Sequence, residues 1–143
     1  MNYSLESATT NEKDFIYNLK KLCNYDYVNE IWGWNEDYQI KDFNNDFILG
    51  NFHIVKADNQ NVGFLELYEI ENNINITEIH LLTNYRGKGI GSDIIKSVIE
   101  RAKQQGKSVT TGCFKKNTNA KDLYIRLGFK VEKETNTHFE MRL

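Results

Sequence analysis

Three glycines fall within five residues in Arg86-Gly87-Lys88-Gly89-Ile90-Gly91, where a strand pattern meets a helix pattern. Upstream, Ile74-Asn75-Ile76-Thr77-Glu78-Ile79-His80-Leu81-Leu82 alternates apolar and polar side chains, the two-residue period of a half-buried strand. Downstream, Ile90, Ile94, Ile95, Val98, Ile99 and Ala102 recur at helical spacing, with Lys96, Glu100, Arg101 and Lys103 on the other side. Glycines at such a junction let the backbone approach a ligand closely. The unpaired amides of the helix's first turn point at that ligand, with the positive end of the helix dipole behind them. The arrangement suits a pyrophosphate, and Arg86 and Lys88 add cationic side chains for phosphate oxygens.

A glycine-rich loop alone does not say which phosphate ligand it takes. The ATP-binding P-loop string Gly-x-x-x-x-Gly-Lys-Ser/Thr is absent from the sequence. Gly87-x-Gly89-x-Gly91 also departs from the Gly-x-Gly-x-x-Gly spacing of dinucleotide folds, and the preceding strands look like antiparallel hairpins. Arg-x-x-Gly-x-Gly, read on Arg86, Gly89 and Gly91, does fit. Tyr85-Arg86-Gly87-Lys88-Gly89-Ile90-Gly91-Ser92 resembles the coenzyme A loop of the GNAT superfamily of N-acetyltransferases.

A second block, Asn117-x-x-Ala120-x-x-x-Tyr124-x-x-x-Gly128-Phe129, resembles that family's Asn-x-x-Ala-x-x-x-Tyr-x-x-x-Gly-Phe segment at matching spacing. Glu134 to Met141 is similar to the terminal hairpin of small bacterial members. The resemblance is strong over residues 50–143 and weak over the N-terminal third. Thr83 stands where members often carry proline, but the chain has no proline at all. Thr111 replaces a commonly aliphatic strand position, and Ile125 follows Tyr124 where an acidic residue is frequent.

A length of 143 residues predicts one domain over 1–143, large enough to bury a core. A net charge of -2 argues against a nucleic-acid binder driven by a basic surface. No apolar run reaches membrane-spanning length, and Met1 to Glu6 lacks a signal peptide's pattern, so a cytoplasmic protein without a membrane partner is expected. Cys23 and Cys113 read as buried thiols and not as a disulfide. His53, His80 and His138 lack paired ligand spacing, so no metal is expected.

Pattern and turn signals predict a first strand within residues 2–8 and a helix from Asn11 to about Cys23. A second helix is expected over about Asp26–Trp32, or after Trp34 through Phe47. Phe52–Ala57 and Val62–Ile70 read as a hairpin around Asp58-Asn59-Gln60-Asn61. A fourth strand follows a turn at Glu71-Asn72-Asn73, then a helix from about Gly89 to Gln104 that stops at Gly106. A strand (108–114), a helix (about 118–127) and a hairpin (129–133 with 137–142) complete the chain. The order β-α-α-β-β-β-α-β-α-β-β is α+β: a mixed, mostly antiparallel sheet of six to seven strands flanked by about four helices. It matches the GNAT fold that the resemblance implies.

The resemblance implies acetyl transfer from acetyl-CoA to an amine, which must attack neutral while the oxyanion and the departing thiolate are stabilised. It implies that the fourth strand splays from the fifth and that main-chain groups of Leu81, Leu82 and Thr83 bind the pantetheine arm, with an N–H near Leu81 as oxyanion donor. It assigns coenzyme contacts to Arg86, Gly87, Lys88, Gly89, Ile90, Gly91, Ser92, Asn117, Ala120 and Tyr124. Tyr124 is the expected general acid, since a phenol pKa of about 10 matches an alkyl thiol; as a residue it also reads as a core tyrosine. Asn117 also reads as a helix N-cap. Glu78 is the first choice for a general base, with Glu66 on the preceding strand as its rival, His80 as a possible relay, and no dedicated base as the remaining option. Cys113, within an apolar strand, reads as a packed thiol in preference to a covalent nucleophile.

In this superfamily the segment between the first two strands supplies much of the acceptor pocket. Here it carries Tyr25, Tyr27, Trp32, Trp34, Glu36, Asp37 and Tyr38, and aromatic faces beside carboxylates suit a cationic amine. Trp32, Trp34, Glu36 and Glu66 are the candidate acceptor-binding residues, against the alternative that the tryptophans cap the core and the carboxylates start a helix. The acceptor is a small-molecule or peptide amine that the sequence does not name. A homodimer is common among relatives, with no face legible here. The alternatives are a non-catalytic acyl-CoA sensor and, more remotely, a nucleotide phosphate module.

Overall fold

The computed structural model describes residues 2–143. Its strands are β1 (Ser4–Ser7), β2 (Phe52–Ala57), β3 (Gln60–Ile70), β4 (Asn73–Leu81), β5 (Ser108–Phe114), β6 (Lys130–Glu134) and β7 (His138–Arg142). The helices are α1 (Lys13–Trp32), α2 (Glu36–Ile48), α3 (Ile90–Gln104) and α4 (Thr118–Arg126). The seven strands form one sheet in the order β1-β2-β3-β4-β5-β7-β6, with β4 and β5 parallel. This is the expected α+β architecture and element order. Among the described residues, no helix is long and apolar enough to cross a membrane.

The chain clusters into two compact units, Met1–Glu66 with Glu78–Lys88, and Leu67–Thr77 with Gly89–Leu143. In the first, Ile16 and Leu19 of α1, Phe43 of α2, Phe52 and Ile54 of β2, and Phe64 of β3 form the apolar core. α1 runs on past the expected end at Cys23, because no glycine or proline interrupts it before Gly33, whose φ of +78° ends it. Asn35 then starts α2 by accepting the Tyr38 N–H at 2.9 Å. The β2–β3 turn is tighter than expected: Asp58 (φ +52°) and Asn59 (φ +61°) make a two-residue turn, and Gln60 and Asn61 join the ladder. Left-handed conformations at both turn positions match the twist of the flanking strands, and Asp and Asn tolerate them.

Past that turn the register shifts, with Val55 opposite Gly63 and Lys56 opposite Asn61, so Val62 is the extra residue of a bulge. Its carbonyl accepts the Leu82 N–H at 2.8 Å. A Cβ on Gly63 would stand 2.4 Å from the His80 carbonyl oxygen and 2.6 Å from a Leu81 methyl carbon. The first of these atoms is backbone and cannot step aside. Gly63→Ala is therefore expected to destabilise the protein by about 1–3 kcal/mol, read as a lower urea midpoint. A midpoint equal to wild type would show that β3 and β4 do not approach this closely.

In the second unit, α3 buries Ile90, Ile94, Ile95, Val98 and Ala102 of its expected apolar stripe, while Ile99 is half-buried. β5 alternates, burying Val109, Thr111 and Cys113. The parallel register runs Asn73↔Ser108 to Ile76↔Thr111. Thr111, polar where an aliphatic residue is common, is buried, and its hydroxyl donates to the Ile76 carbonyl at 2.8 Å. That bond removes the cost of burying an unsatisfied hydroxyl.

Candidate active site

The glycine loop has the backbone that its composition demands. Gly87 (φ +72°) and Gly89 (φ +86°) are both left-handed, and Gly89 is the residue from which α3 starts. A Cβ on either would meet no protein atom within 4 Å, so the glycines are required by conformation and not by crowding. The first helical bond is Asp93 N–H to the Gly89 carbonyl, at 2.9 Å. Among the described residues, no main-chain N–H from Gly87 to Ser92 donates to a protein acceptor. Six consecutive donors are thus available at the positive end of a 15-residue helix. That set fits the pyrophosphate of a coenzyme.

The two cations of the loop differ. Arg86 Nε donates to the Leu81 carbonyl at 2.9 Å, and Nη2 approaches Cys23 Sγ at 3.5 Å, so the guanidinium braces the end of β4. Lys88 is exposed, with its ammonium 5.8 Å from the centre of the Tyr85 ring. The Tyr85 hydroxyl donates to Asp58 and accepts from Gln60, which anchors the preceding turn. The Leu82 N–H is committed to Val62, while the Leu82 and Thr83 carbonyls accept from Tyr85 and Arg86 in a tight 3-10 turn.

α4 opens on Asn117, whose side-chain oxygen accepts the Ala120 N–H at 3.2 Å; the capping reading of Asn117 is therefore present. Tyr124 lies on this helix, buried, with its ring edge-on to Phe129 at 5.4 Å. Burial pushes the Cys113 thiol above its ordinary value, which lowers its thiolate fraction.

In the first unit a set of charged side chains meets around β3 and β4. Lys20, on α1, donates to Glu78 Oε2 and lies 3.9 Å from Glu66 Oε1. Asn24, one turn further along α1, donates to Glu78 Oε1, and His80 Nε2 lies 3.4 Å from the same oxygen. Burial alone would raise the Glu78 carboxyl. The Lys20 charge and the His80 contact outweigh it and hold that carboxyl down at about 2. Burial likewise opposes an imidazolium at His80, yet contacts with Cys23 and Glu78 raise it to about 9.

Glu66 has the opposite environment. It is 6% exposed, and its Oε1 has no hydrogen-bond partner among the described residues. Burial pushes its carboxyl up to about 7, with the attraction of Lys20 only partly offsetting it. Two carboxylates on neighbouring strands are thus driven apart, one locked ionised and the other poised to exchange a proton near neutrality. The sequence gives no sign of Lys20 and Asn24 as partners; their four-residue spacing places them on one face of α1, but not which strand they meet.

The aromatic segment is internally bonded. Glu36 accepts from Lys21 (2.8 Å), Trp34 Nε1 (2.7 Å) and the Tyr17 hydroxyl (2.9 Å), and these bonds hold its carboxyl at about 2. Burial, with the bond to Glu36, pushes the Tyr17 phenol up to about 12. Trp34 packs on Tyr25 with ring centres 5.3 Å apart, whereas Trp32 is 63% exposed.

Comparison with known proteins agrees with this architecture. No curated protein matches the chain. Among solved structures, the PaiA N-acetyltransferase of Thermoplasma acidophilum in complex with coenzyme A has a TM-score of 0.77 at 19% identity, covering 99% of this chain and 98% of that one. A GNAT acetyltransferase of Elizabethkingia anophelis with acetyl-CoA bound has a TM-score of 0.73 at 18% identity, with 99% and 96% covered. Spermidine N-acetyltransferase of Vibrio cholerae, in complex with CoA and spermine, has 0.71 at 18%, with 99% and 94% covered. At these identities the likeness establishes the fold. The model of the Acetyltransferase (GNAT) family matches residues 13–129, most of the chain and both motif blocks, and the protein belongs to that family.

Proposed function

We propose that this acetyltransferase moves an acetyl group from acetyl-CoA to a primary amine of a small molecule or peptide, by direct attack with both substrates bound. The observation that carries the reading is the run of available amides from Gly87 to Ser92 at the start of α3. Acetyl-CoA supplies the acetyl group as an activated thioester. The six amides would hold its pyrophosphate, and Lys88 is the loop cation whose side chain makes no hydrogen bond among the described residues. Arg86 serves the loop indirectly, by fixing the end of β4 through Leu81. Coenzyme contacts from Asn117, Ala120 and the main chain of Leu81 and Thr83 rest on the family resemblance.

Proton traffic divides between two residues. Glu66 is the proposed base: a buried carboxyl near 7, with an unbonded oxygen, can take a proton from an arriving ammonium. Glu78 is the weaker choice, because Lys20, Asn24 and His80 already occupy both its oxygens. Tyr124 is the proposed acid for the departing thiolate. Glu36 already accepts from three donors within the protein, so acceptor recognition is assigned to Glu66 and to the exposed Trp32.

Release of coenzyme A, measured over a panel of primary amines, tests the activity. Tyr124→Phe is expected to keep acetyl-CoA protection against thermal unfolding while turnover drops about 100-fold or more. If wild type bound acetyl-CoA but turned over no amine, the protein would be an acyl-CoA sensor instead.

A further inference from the structure

We propose that Lys20 is a positioning residue that tunes Glu66 through Glu78: with its ammonium hydrogen-bonded to Glu78, it leaves Glu66 the carboxylate that can accept a proton. For its catalytic meaning the inference rests on Glu66 acting as base. The geometry divides unequally. Glu78 receives donors from Lys20 and Asn24 on α1 and contacts His80 on β4. Glu66 receives only the field of the same ammonium at 3.9 Å, and its Oε1 has no hydrogen bond. One cation thus serves a buried and a half-buried carboxylate, and the hydrogen bond decides which one stays ionised.

The other charges acting on Glu66 are Glu78 from β4 and Asp46 and Asp42 from α2, all of which disfavour its ionised form. Asp46 feels the same set: burial, Asp42 and Glu78 raise it, and Lys20 lowers it. Lys20 supplies the positive charge that opposes them and favours ionised Glu66. Two substitutions should therefore move Glu66 in opposite directions. Lys20→Met deletes the cation. Glu78→Gln deletes a competing anion and frees the ammonium to turn toward Glu66.

The test is a carbon-13 NMR titration of the Glu66 carboxyl in the full chain without ligand, with the resonance assigned by its loss in Glu66→Gln. Lys20→Met is expected to raise the Glu66 midpoint, and Glu78→Gln to lower it, each by on the order of one pH unit. Lys20→Arg, which keeps the charge, should restore most of the wild-type midpoint. No movement in either variant, or movement of both in one direction, overturns the proposal. Should Lys20→Met fail to fold, Glu78→Gln decides alone: a fall supports the proposal, while an unchanged or raised midpoint overturns it. In activity, the acid limb of kcat/KM should follow the NMR midpoints. If the midpoints move as stated but that limb stays in place in all variants, Glu66 is not the base and the tuning by Lys20 stands.

Discussion

Glu66→Gln is expected to lower kcat by about 100- to 10,000-fold and to abolish the acid limb of the pH–rate profile, while making the protein more stable at alkaline pH. Glutamine keeps the shape of the protonated side chain but cannot take up a proton. The stability effect follows from linkage. The carboxyl is raised from its ordinary 4.5 to about 7, so the folded state holds its proton where the unfolded chain has released it. Wild-type stability attached to this group is therefore fully present below about pH 4.5 and is lost as pH rises through about 7. Glutamine never ionises, so the variant's advantage grows across that window toward roughly 3 kcal/mol. Urea unfolding at pH 4.5 and pH 8 measures it. A variant equally active, or one whose stability relative to wild type does not change with pH, would show that Glu66 is an ordinary ionised carboxylate. The opposite trend belongs to Glu78, held down at about 2: its contribution is present above about 4.5 and is lost as pH falls toward 2.

Gly89→Glu should weaken acetyl-CoA binding by about 100-fold or more. Two effects combine at this position. The left-handed φ of +86° makes any side chain strained, at about 1–2 kcal/mol. A carboxylate there also brings negative charge and bulk to the amides that begin α3. Gly89→Ala separates the two, because it carries the strain without the charge. In thermal unfolding, both variants should melt below wild type when ligand-free. Saturating acetyl-CoA should still raise the midpoint of Gly89→Ala and leave that of Gly89→Glu unmoved. Equal protection of Gly89→Glu and wild type would mean that residues 87–92 do not grip the phosphates.

Local pattern carried the fold because its elements are regular and sharply punctuated. β2 and β5 have the bounds that alternation and turn residues predict, and α3 starts one residue past Gly89, its expected beginning. The differences lie where a local signal was ambiguous. Nothing in residues 23–32 distinguishes one long helix from a break, since the residue that stops α1 is Gly33, beyond the apolar stripe used to place it. The four-residue hairpin loop became a two-residue turn because Asp58 and Asn59 both accept positive φ. Carboxylate roles were less legible. Glu66 and Glu78 look alike in strands of similar polarity, and only one of them receives the Lys20 hydrogen bond.

The sequence by itself determined the order of elements, the glycine junction that starts α3 with its amides available, and membership of an acetyltransferase family. The first two follow from periodicity and backbone freedom, which neighbouring residues set between them; the family follows from the two motif blocks, at residues 85–92 and 117–129, and from the family match over residues 13–129. Tertiary structure alone decided which carboxylate holds a proton, that Arg86 turns onto Leu81, and that Glu36 is consumed by Tyr17, Lys21 and Trp34. Proton affinity and hydrogen-bond commitment depend on burial and on charges several ångströms away in space, and for Glu66 burial is the largest effect, opposed by a charge 46 positions earlier in the chain, at Lys20.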